Sequence, residues 1–151
     1  MGDITGDTSG SISELLTWVR TEIDAIITEC QANAKDPFYK RAPASYSLNA
    51  WGVVMEDHGH QDSYIQRDAW ISGVYYIKVL ASVHRDDPES GGWIEFGVPH
   101  DYSEYKTVSE TKLIMPEAGN AILFPAYFYH RTIPLRPSDT RICIAFDAIP
   151  Q

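Results

Sequence analysis

The sequence predicts a domain dominated by β-structure, a sandwich or barrel of short strands carrying one amphipathic helix on its outside. Three observations point there. Apolar residues recur at helical spacing in a single segment near the N-terminus. The remainder breaks into short β-branched and aromatic runs separated by turn clusters. A content of 44% hydrophobic and 12% aromatic residues in 151 residues builds one core, whereas two would each be too small. Short strands after a single good helix argue against alternating βα units.

Residues 1–10 (MGDITGDTSG) cannot bury themselves and are expected to form a flexible tail. Such a tail is also the expected route into a homo-oligomer or protein assembly. Residues 11–151 then form one domain, beginning with a helix over 11–35. Within it Ile12, Leu16, Val19, Ile23, Ile26 and Cys30 share one stripe. Ser11 and Glu14 have the spacing of a capping box, and Pro37 sets the latest end. Strands are expected at roughly 47–55, 70–80, 92–97, 111–115, 120–124 and 140–147. The turns between them are Asp86-Asp87-Pro88, Gly91-Gly92, Pro116-Glu117-Ala118-Gly119 and Arg136-Pro137-Ser138-Asp139.

Composition narrows the function. Twelve Lys and Arg against 21 Asp and Glu give a net charge of −9, which repels phosphate backbones and anionic lipid. Neither nucleic acid nor a membrane is therefore expected as a partner, and no apolar run reaches bilayer length. The N-terminus lacks a basic segment followed by an apolar one, and Gly6 stands where a myristoylation motif needs Ser or Thr. Cys30 and Cys143 are too few for a disulfide framework. A cytoplasmic or otherwise intracellular protein is the expectation.

Chemistry can reside in few places. On an extended last strand Ile142, Ile144 and Phe146 face one way, and Arg141, Cys143 and Ala145 the other. The first set suits packing under the helix. The second places a cation beside small side chains, to be met either by an anion or, at an edge, by a surface carboxylate. His58-Gly59-His60 puts two imidazoles on one side of an extended segment, a weak metal signal beside Glu56, Asp57 and Asp62, which suit a solvated loop. His84 and His100 lie in polar turns and are expected at the surface. His130 follows the run Leu123-Phe124-Pro125-Ala126-Tyr127-Phe128-Tyr129 and is either a core or a site residue.

The ordered segments WISGVYYI (70–77), IEFGVP (94–99), MPEAGNAILFPAYFYHRTIP (115–134) and RICIAFD (141–147) resemble the 2-oxoglutarate/Fe(II)-dependent dioxygenases. They are most similar to the short bacterial and phage group of oxygenases. The resemblance implies a double-stranded β-helix, a jelly roll or cupin-like barrel, with Fe(II) and 2-oxoglutarate in its mouth. It implies His130 as the distal iron ligand and Arg141 as the residue that takes the far carboxylate, a small carboxylate ligand matched to a planar fork. The group's pattern is similar to G-H-Q-x-x-H-I-H-P-x-x-W-L-S-G. Aligned on Trp70 and Gly73, its two proximal ligand positions hold Tyr64 and Gln66, and His60 falls on a histidine that does not ligate. A glutamine offers one neutral oxygen, and a tyrosine must first lose a proton of pKa near 10.

Three readings follow: an oxygenase with an altered site, rescued by His58 or His60 joining His130; a catalytically silent barrel that binds a small anion through Arg141 or serves as a structural component; and a metal-independent enzyme using Tyr64, Tyr75, Tyr76 or His130 as acid or base. Rescue would require the loop before Trp70 to slip in register, against the packing that fixes it.

Overall fold

The computed structural model describes residues 2–6, 10–33, 35–99, 110–136 and 140–151. His100 and residues 137–139 of the last predicted turn lie outside these. Helix α1 spans Gly10–Ala32, and a single 3-10 turn Tyr39–Arg41 follows. The strands are β1 Tyr46–Glu56, β2 Gln61–Tyr64, β3 Ile71–Lys78, β4 Ile94–Phe96, β5 Lys112–Ile114, β6 Ala121–Pro125, β7 His130–Thr132 and β8 Thr140–Pro150. They form two four-stranded antiparallel sheets, ordered β1-β8-β3-β6 and β2-β7-β4-β5. This is the jelly-roll arrangement with one outer helix.

The helix obeys its stripe: Leu16, Val19, Ile23 and Cys30 are buried, and Ile12 and Ile26 pack beside them. They cover Leu48, Ala50, Ile71, Ile144, Phe146 and Ala148 on the outer face of the first sheet. Complete burial of a Leu, Val or Ile side chain stabilises by roughly 1.5–3 kcal/mol, so this face fastens the helix. The predicted bounds need correcting. The helix starts at Gly10, placing Ser11 inside the first turn rather than at its cap, and it stops at Ala32 rather than 35. In the segment read as a tail, Asp3 bridges Trp51, Ile4 N–H donates to the Ala50 carbonyl and Ala50 N–H donates to Thr5 Oγ1.

Strand β8 is the spine. It pairs with β1 along its whole length and with β3 on its other side, setting Arg141 opposite Met55 and Asp147 opposite Ser72. Its alternation is as expected at Ile144 and Phe146, which lie under the helix, while Arg141, Cys143 and Ala145 line the barrel interior. Between the sheets Ile94, Phe96 and Phe124 form a second, smaller core. Two strands escaped the sequence reading, β2 (QDSY) and β7 (HRT), because neither carries an apolar run.

Gly73 sits opposite Phe146, where an added Cβ would lie 2.4 Å from the Phe146 ring and 3.0 Å from the Ile122 carbonyl oxygen. A Cβ on Gly52 would meet nothing within 4 Å. Gly73→Ala is therefore expected to lower unfolding free energy by about 1–3 kcal/mol through overpacking, and Gly52→Ala to leave it unchanged or higher. Urea unfolding of the two variants checks this, and equal midpoints would refute the close approach.

Candidate functional site

Strand register builds the site. Tyr64 on β2 and Phe96 on β4 both pair with His130 on β7, so the imidazole is walled from either side. Ring centroids lie 4.3 Å away for Tyr64, 6.3 Å for Phe96 and 4.6 Å for Phe124. His130 is buried and bonds through Nδ1 to the Phe128 carbonyl at 2.9 Å, a contact in which Nδ1 carries the proton and Nε2 the lone pair. Burial pushes its pKa below the ordinary 6.5, against the opposing pull of the Phe128 carbonyl and Asp147.

Asp147, close enough to His130 and Tyr64 to act on both by charge, accepts from Ser72 Oγ at 2.6 Å and from Gln66 Nε2 at 2.6 Å, one bond to each carboxylate oxygen. Burial raises its pKa above the usual range, while the two bonds oppose that rise. Tyr64 is likewise pushed up, first by burial and then by the charge of Asp147, so its phenol keeps its proton. Tyr76 is fully buried and shifted upward by desolvation.

At the other end Arg141 is 3% exposed. Its Nη1 donates to the Gly92 carbonyl at 3.2 Å, and its Nη2 to Thr132 Oγ1 at 3.1 Å and Met55 Sδ at 2.9 Å. Its Cζ stands 5.7 Å from the centre of the Tyr76 ring. Nε has no partner, and among the described residues no carboxylate pairs with this guanidinium. The cavity it shares with His130, Tyr64, Cys143 and Asp147 measures about 40 Å³. That is room for about three water-sized groups.

The structure thus brings Tyr64, His130 and Arg141 around one interior, which Gln66 reaches through its bond to Asp147. It keeps His58 and His60 out. Asp57 and His58, both at positive φ, form the tight turn after β1, closed by Gly59 N–H to the Glu56 carbonyl at 2.9 Å. His60 is exposed and faces Asp62 at 3.4 Å. His84 is exposed as well. Tyr75 packs on the helix side against Trp18, at 6.3 Å between centroids, and leaves the set of interior acid–base groups. Sequence reasoning missed Asp147, Ser72, Thr132 and Met55. Only Asp147 was within reach, since it continues the alternation Arg141, Cys143, Ala145.

The profile of one protein family, described as "Putative 2OG-Fe(II) oxygenase", matches residues 49–147. The chain belongs to this family. No curated protein matches it. Among solved structures, the barrel is similar to a viral collagen prolyl hydroxylase of Paramecium bursaria Chlorella virus-1, solved as a 2OG complex. That likeness has 13% identity and a TM-score of 0.54, covering 95% of this chain and 76% of that one. A prolyl-4-hydroxylase of Pseudomonas putida gives 13% and 0.52, covering 70% of this chain and 54% of the other. A 2OG-Fe(II) oxygenase-family oxidoreductase of Burkholderia pseudomallei gives 13% and 0.51, covering 74% and 46%. The chain spans about half the length of the last two. At this identity the likeness shows the fold.

The oxygenase family implies iron, and the donors present do not fit it. A non-haem Fe(II) site needs two histidines and a carboxylate, or a close equivalent, on one face of the ion. Here one imidazole stands beside a protonated phenol and an amide whose NH₂ is bound to Asp147. Among the described residues no three His, Cys, Asp or Glu side chains are grouped to hold a metal ion.

The shift of His130 has a signed consequence. Below pH 6.5 the unfolded chain takes a proton that the folded chain refuses until its lower pKa is reached, so stability falls as pH drops through that interval. His130→Phe is expected to flatten this part of the stability profile, measured by urea unfolding from pH 7.5 to pH 5. An NMR titration of the His130 ring above 6.5 would contradict the assignment.

Proposed function

We propose that this oxygenase-family barrel has lost iron catalysis and binds a compact carboxylate on Arg141 without a metal. The observation that carries the reading is the guanidinium itself, buried, with no carboxylate partner among the described residues and an Nε–H that no acceptor meets. A buried unpaired cation is costly, and an anion arriving beside the guanidinium relieves the cost. Tyr64 and Gln66, at the positions the family motif gives to two iron ligands, support the loss of the metal. The order of the motifs at 70–77, 94–99, 115–134 and 141–147 supports placing the chain in the short bacterial and phage group.

The mechanism is binding. The carboxylate enters the cavity that Arg141 lines and meets its guanidinium, whose plane the Thr132 hydroxyl and Tyr76 ring fix. Asp147, held by Ser72 and Gln66, keeps negative charge at the opposite end and orients the ligand with its anionic group toward Arg141. Acid–base turnover is not supported: His130 is spent on Phe128 on one side, and Tyr64 and Tyr76 hold their protons.

Calorimetric titration with acetate and with 2-oxoglutarate, with and without anaerobic Fe(II), tests this. Saturable binding indifferent to iron and absent in Arg141→Met is expected. Because that variant removes an unpaired buried charge, its ligand-free melting temperature is expected to equal or exceed that of the parent. Iron-dependent succinate release that disappears in His130→Ala would overturn the reading.

A further inference from the structure

A second recess lies outside the barrel, over the segment that leads into β3. It is a groove of about 620 Å³ walled by Phe38, Trp70 and Tyr127, with Arg41 and Arg67 on its rim. Its size falls within the range of small-molecule sites. The walls are set in advance. Phe38 stacks on Trp70 with centroids 4.7 Å apart and planes 7° from parallel, and Tyr127 stands at 59° to Phe38, 6.0 Å away. Backbone bonds from Gln66 N–H to the Ala126 carbonyl (3.0 Å) and from Ala126 N–H to the Trp70 carbonyl (3.1 Å) tie the two sides together.

The charge of this groove runs against that of the chain. In a protein of net charge −9, two exposed arginines meet only one lining carboxylate, Asp68. Neither arginine makes a salt bridge among the described residues, although Arg85, Arg131 and Arg136 do. An aromatic corner with its most exposed ring, Tyr127, 57% open, offers a surface for a flat apolar body. The guanidiniums offer planar forks for an anion.

We infer that this groove is a binding site for a small planar aromatic carboxylate, its ring against Phe38 and Tyr127 and its carboxylate between Arg41 and Arg67. The groove touches the interior network only through Gln66, which bonds Asp147, and includes neither Arg141 nor His130, so the site stands whether or not the cavity binds an anion.

Titration of the full chain with 2-naphthoate, followed by calorimetry and by ring-proton shifts of Tyr127, tests the inference. Saturable one-to-one binding that weakens with salt is expected. Both arginines are exposed, so R41Q/R67Q is expected to fold normally and to weaken binding about tenfold or more. Tyr127→Ala is expected to weaken it several-fold, and Arg141→Met to leave it unchanged. Absence of saturable binding would overturn the proposal, as would affinity insensitive to R41Q/R67Q. An acidic peptide lacking aromatic residues that bound as tightly as 2-naphthoate would overturn it too.

Discussion

A guanidinium buried inside a β-barrel, with no carboxylate pairing it among the described residues, is the constraint on which this molecule turns. Arg141 is held by a carbonyl, a hydroxyl, a thioether and an aromatic ring, all neutral, so its charge is solvated but not cancelled. The fold supplies those partners through register, since the pairing of β8 with β1 delivers Met55 to the same rung. Helix α1 presses the opposite face of β8 through Ile144 and Phe146, and in extended backbone that forces residues 141, 143, 145 and 147 inward. One strand therefore carries a cation at one end of the cavity and an anion at the other.

The anion changes the chemistry of the interior. Asp147 takes the amide of Gln66 and the hydroxyl of Ser72, so these three polar side chains satisfy one another. A satisfied polar network is rigid and offers few free lone pairs to an incoming ion. Membership of the oxygenase family and loss of its metal chemistry are compatible, because the fold rests on strand pairing and core packing, whereas iron binding rests on three side chains.

Much of this was legible in the residues, for a physical reason that also explains the gaps. The helix announced itself because its apolar stripe must be covered, and β8 because Ile144 and Phe146 alternate with Arg141, Cys143 and Ala145. β2 and β7 were silent because QDSY and HRT owe their extended form to neighbouring strands, and propensity carries no trace of a partner. Tyr64 and Gln66 were singled out by counting back from Trp70, an indole that is buried. The roles of Ser72 and Thr132 were invisible, since a hydroxyl on a strand declares nothing until its opposite number is known. The groove of Phe38, Trp70 and Tyr127 joins three stretches distant in sequence, and no local pattern predicts that meeting.

The central claim is that the side chains around His130 do not hold iron. Elemental analysis of the full chain after anaerobic Fe(II) loading and desalting addresses it most directly. The account predicts iron far below one atom per chain, with the same trace level in His130→Ala. One iron per chain, lost in His130→Ala, would contradict it.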